Sequence, residues 1–114
     1  MAINDKDPII QQDYCLEFDQ IRKKMVVVAH YKYGSARDNF NSGRVDALET
    51  AQRCIDAFRK DGNLEHLCDA ANYLMFRFKY PLASEKYIPT DSDGSVGTVG
   101  TPINMEKEDY IYGG

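Results

Sequence analysis

The sequence predicts an all-α protein: three main helices, near residues 9–30, 44–60 and 64–79, forming a small bundle followed by an irregular C-terminal tail. Two observations carry that expectation. Apolar residues recur at steps of three and four in each segment, the spacing that gathers side chains on one face of a helix. The segments are joined by breaks containing glycine, the residue that most readily ends helices and shapes turns.

The first helix rests on Tyr14, Phe18, Ile21, Met25 and Val28, which recur at steps of four, three, four and three. Pro8 suits a first-turn position, where its missing N–H costs nothing. Asp13, Glu17, Asp19, Arg22, Lys23 and Lys24 cover the other faces. The run "MVVVAHY" favours a strand locally, because β-branched residues fit a pleated surface. The longer helical period outweighs that three-residue preference.

"YKYGSARDNFNSGR", residues 31–44, breaks the period and reads as a loop rich in recognition chemistry. Tyr31, Tyr33 and Phe40 offer stacking faces. Arg37 and Arg44 offer bidentate donors for phosphate, and N–H groups near Gly34 and Ser35 suit an anion. The alternative is that the aromatics pin a long loop to the core while the arginines stay in water.

The second helix has Ser42 as a candidate N-cap and Val45, Leu48, Ala51, Ile55 and Phe58 as its buried stripe. Asp46, Glu49, Arg53 and Asp56 form a polar side. Asp61-Gly62 ends it, with glycine placed for a left-handed residue. Asn63 then caps the third helix, so the two form a tight antiparallel hairpin.

The third helix takes Leu64, Leu67, Ala71, Leu74 and Phe78 as its main stripe, widened by Cys68 and Met75. At ~100° per residue, Glu65, Asp69, Asn72 and Phe76 cluster on the far side within about 60° of one another. His66, Tyr73 and Arg77 flank them. That much aromatic area is unusual for a solvated face, so the first helix, a second subunit or a ligand is expected to cover part of it. Pro81 stops the helix. The domain reading is a helical domain over 1–82 and an irregular tail over 83–114, where "TDSDGSVGTVGTPIN" is small, polar and glycine-rich.

A chain of 114 residues with 43% hydrophobic residues is one modest domain that gains from oligomerisation. Its net charge of −4 argues against a phosphate-backbone binder, so direct nucleic-acid binding is not expected. No apolar run approaches the ~20 residues of a membrane span. "MAINDKDPII" is polar, without a signal-peptide core, and a cytoplasmic location is expected. Cys15, Cys54 and Cys68 lack C-x-x-C spacing and read as packed thiols.

Carboxylates on neighbouring helices can hold Mg²⁺ beside a nucleotide phosphate. Here Asp46 and Glu49 are three apart, and Glu65 and Asp69 four apart. "DALE" followed by "EHLCD" resembles the MazG-like all-α nucleotide pyrophosphohydrolases, whose pattern is E-x-x-E and then E-x-x-D. The second motif has one extra residue between its acids, which turns them apart by about 100°. That resemblance implies a Mg²⁺ site made of Asp46, Glu49, Glu65 and Asp69. "GNLEHLCDAANYLMFRFKYP" with "TDSDGS" looks like a family of small phage and bacterial helical proteins with an N-x-E-x-L-x-D-A-A-N pattern. Leu64 stands where that family has Thr. The resemblance implies a phage setting, and hence a counter-defence role with a host protein as partner.

The leading expectation is a small binding protein that holds a nucleotide-like ligand or a host protein without turnover, with no cofactor. Its ligand residues would be Tyr31, Tyr33, Arg37, Arg44, Asp69, Asn72 and Tyr73. One alternative is the Mg²⁺-dependent pyrophosphohydrolase. The other is a structural interaction module whose dimer interface is the mixed face of the third helix. A homo-oligomer is expected because that helix is apolar on opposing sides.

Overall fold

The computed structural model describes residues 2–90 and Gly97. It is all-helical, with no strand among the described residues. Helix α1 spans Pro8–Asp13, α2 Leu16–Tyr33, α3 Ala47–Asp61 and α4 Glu65–Lys79. A π-helical turn, Arg37–Asn41, lies between α2 and α3. The readings placed on residues 91–96 and 98–114, most of the tail, lie outside the described residues.

The expected first helix is two helices. Asp7 caps α1 by accepting from the Ile9 N–H, and Pro8 opens it as expected. Tyr14 and Cys15 then adopt extended backbone angles and interrupt the run. Across the break, the Tyr14 hydroxyl donates to Asp19, which also pairs with Arg22. The valine run is helical within α2.

α3 begins at Ala47 rather than near residue 44. Its cap is Asp46, whose carboxylate accepts from the Glu49 N–H at 3.0 Å; Ser42 instead donates to the Asp38 carbonyl. Gly62 ends α3 at φ +70°, and Asn63 Oδ1 accepts from the Glu65 N–H. Glycine reaches that left-handed angle without a Cβ penalty. The short turn folds α3 and α4 into the expected antiparallel hairpin, the most extensive helix contact among the described residues.

α4 is the central helix, touching α3 on one side and α2 on another. Its buried faces follow the predicted apolar stripe only in part. Cys68, Asn72 and Phe76 are buried toward α2 and the π-helical turn. Ala70 is buried on the side shared with Tyr73 and Arg77, nearest α3. Of the expected stripe, Cys68 is buried and Leu67 and Ala71 are half-buried, but Leu64 is 69% exposed, Leu74 49% and Phe78 72%. Small residues are among the buried positions on both helices, Ala47 and Ala51 of α3 and Ala70 of α4, and small side chains let helices approach closely.

α2 shows a smaller rotation of the same kind. Phe18 and Met25 are half-buried as expected, but Ile21 and Val28 are exposed. Arg22, Val26 and Ala29 share the covered face instead. Arg22 lies over the Phe18 ring and pairs with Asp19, so its charge is neutralised locally. On α3, Ala51, Ile55 and Phe58 are covered as expected, joined by Ala47 and Cys54, while Leu48 is exposed.

Candidate functional site

The segment expected to be a loop builds the site. α2 continues through Tyr33 and ends at Gly34, φ +88°. The chain then winds into the π-helical turn, with the Asp38 N–H bonded to Ser35 Oγ and the Val45 N–H to the Asn39 carbonyl. A widened turn of this kind pushes one side chain out of helical register. Here Phe40 goes inward and stacks on Phe76 at 4.5 Å between ring centroids, with Tyr73 edge-on at 5.9 Å.

These rings and α2 enclose a cavity of about 180 Å³. Met25, Val26 and Ala29 of α2 form one wall. Phe40, Phe76 and Tyr73 form the opposite wall, and Asp69, Asn72 and Asn39 supply polar atoms. His30 and Tyr33 stand at the edge, both exposed to solvent. Four residues named from the sequence, Tyr33, Asp69, Asn72 and Tyr73, therefore meet in one place.

The electrostatics follow from burial. Asn72 is 6% exposed; its Nδ2 donates to the Arg22 carbonyl at 3.2 Å, while its Oδ1 is buried without a partner. Desolvation pushes the Asp69 carboxyl above its ordinary range, Glu65 adds to the shift, and His66 partly offsets it. Burial also raises the Tyr73 phenol, helped by the nearby Asp69 charge. Burial and Asp69 likewise keep the Cys54 thiol protonated.

Three expected ligand residues are elsewhere. Arg37 and Arg44 are exposed and do not line the cavity, and Tyr31 is 84% exposed, set edge-on to His30. Other lining residues were not proposed as ligand groups, Asn39, Phe40, Met25 and Phe76 among them. Phe40 was legible as a stacking residue. Asn39 was hidden in a polar run, because its role depends on the π-helical turn.

The four acids of the metal reading are not brought together. The antiparallel hairpin sets Asp46, at the start of α3, near Arg77 at the end of α4. Asp69 lies eight residues before Arg77, about 12 Å along the helix. Glu49 pairs instead with Arg53. Among the described residues no group of three or more His, Cys, Asp or Glu side chains is arranged to hold a metal ion.

The fold and cavity define a small all-helical domain with a partly buried polar and aromatic pocket. Comparison of the chain with known family models, curated proteins and solved structures gave no match. No helix among the described residues is long and apolar enough to cross a membrane.

Proposed function

We propose that this is a non-catalytic binding protein whose ligand inserts a single planar ring into the α2–α4 cavity. The observation that carries the reading is an apolar and aromatic cavity lined in part by Asn72, whose Oδ1 is buried without a donor. Buried polar atoms are ordinarily hydrogen-bonded, so an unpaired acceptor on a residue that lines a cavity invites a ligand N–H or O–H. The volume limits the ligand. Drug-sized molecules need about 300–1,000 Å³, whereas a dry cavity of ~150 Å³ accepts a benzene. A pyrimidine-sized ring suits this space, and a whole nucleotide would leave its sugar and phosphate outside. Arg37 and Arg44 do not line the cavity, and its volume narrows the nucleotide-like expectation to the base-like part.

A thermal-shift screen with free pyrimidine bases, other single-ring compounds and nucleoside triphosphates tests this. Single-ring compounds should raise the melting temperature, and Ala29→Leu should abolish the shift by filling the cavity. A flat response to every ring compound overturns the reading.

A second observation favours self-association. Leu64, Leu74, Met75 and Phe78 form an exposed apolar strip along α4, and an isologous dimer buries such a strip against its own copy. The expected dimer face is thus the main stripe, not the mixed face around Phe76. Light scattering should report a dimer at high micromolar concentration that Leu74→Glu converts to monomer. A wild-type monomer under those conditions removes the idea.

A further inference from the structure

Two asparagines stand on the cavity wall, and each donates its amide N–H to a backbone carbonyl: Asn72 to Arg22 at 3.2 Å, and Asn39 to Tyr33 at 3.1 Å. Each bond fixes which end of the amide is the acceptor, because a flipped amide would set oxygen against oxygen. Asn72 Oδ1 is therefore a fixed acceptor. Asp69 is a second acceptor, half-buried, with no salt bridge or hydrogen bond to it among the described residues. The rings of Tyr33, Phe40, Tyr73 and Phe76 add π faces, which attract positive charge. No lysine or arginine lines the cavity.

Resting on the reading of this cavity as a ligand site, we propose that its ligand is a small ring-bearing organic cation, an amidinium or ammonium. Its N–H groups would meet Asp69 and Asn72 Oδ1, and its ring would lie among Phe40, Phe76 and Tyr73. A neutral donor satisfies Asn72 but leaves a desolvated carboxylate uncompensated, and burying an unpaired charge is costly. An anion is repelled by Asp69, with Glu65 close beyond it. A charge-assisted bond to Asp69 is roughly twice as strong as a neutral one.

The experiment is calorimetric titration of the intact protein with benzamidine, benzamide and benzoate, a near-isosteric series of charge plus one, zero and minus one. Benzamidine should bind at least about tenfold more tightly than benzamide, a difference of about 1.4 kcal/mol, and benzoate should not bind. Asp69→Asn should bring benzamidine to within about threefold of benzamide while leaving benzamide binding intact. Ala29→Leu should abolish binding of both. Equal wild-type affinity for benzamidine and benzamide overturns the cation assignment and leaves the cavity reading standing. Binding of none of the three overturns both. Benzamidine binding that survives Ala29→Leu places the cation on the acidic surface and overturns the assignment too. If Asp69→Asn does not fold, the charge series on the wild type still decides.

Discussion

The two sides of α4 are built on different principles. Toward α3 the contact buries small side chains, Ala47, Ala51 and Ala70, beside the half-buried Ile55 and Phe58, and is closed by a short turn at Gly62. Toward α2 it is made of large or polar groups, Phe40 on Phe76 and Asn72 on the Arg22 carbonyl, and it leaves a cavity. Small residues let helix backbones approach until no space remains. Rings and amides hold backbones apart and leave gaps between fixed shapes. The first side secures the fold, and the second supplies the space where a ligand can sit.

The largest expected effect tests the second side. Phe76→Ala removes the ring that supports Phe40 and enlarges the cavity. It should lower stability by about 3–5 kcal/mol in urea unfolding. A loss below about 1 kcal/mol would show that Phe40 and Phe76 are decoration and that the α3–α4 hairpin carries the fold alone.

A matched pair of enlargements sharpens the contrast. Ala70→Leu forces extra volume into the close α3 side and should cost about 1–3 kcal/mol. Ala29→Leu places the same volume in the cavity and should cost less than about 1 kcal/mol while blocking ligand binding. Equal costs would mean that the two sides are equally packed.

The smallest expected effect has a definite sign. Asp69 titrates higher in the folded protein than in the unfolded chain because burial and Glu65 disfavour its charge. Folded protein therefore holds this proton over a range where the unfolded chain has lost it. Stability from this group is fully present below the unfolded value near 3.9 and declines as pH rises through the folded value. Asp69→Asn should thus melt slightly above wild type at pH 7, with the gap closing near pH 3. The opposite dependence holds for Asp19, Asp61 and Glu85, which hydrogen bonds with Arg22, Asn63 and Arg77 keep below their ordinary ranges. Their contribution is present above the unfolded value and lost on acidification through the folded one. Comparing variant with wild type at each pH cancels it. A variant that melts below wild type at pH 7 would show that Asp69 has a stabilising partner.

The sequence by itself determined the helical class, the α3–α4 hairpin and the end of α4. Each follows from short-range chemistry: apolar spacing, glycine at a left-handed turn, and proline beyond the last residue. It also singled out Asp69, Asn72 and Tyr73, because a polar cluster beside aromatics on a helix is visible in the letters. Only the tertiary structure decided which face of α4 is buried. Periodicity finds that a helix has an apolar stripe, but α4 is apolar around most of its circumference. Ala70 is buried, Asn72 found the Arg22 carbonyl, and Leu64, Leu74 and Phe78 were left outside. The break at Tyr14 and the inward turn of Phe40 were illegible for a related reason. Neither is set by adjacent residues alone: Tyr14 bonds Asp19 five residues on, across the break, and Phe40 meets Phe76 on a different helix.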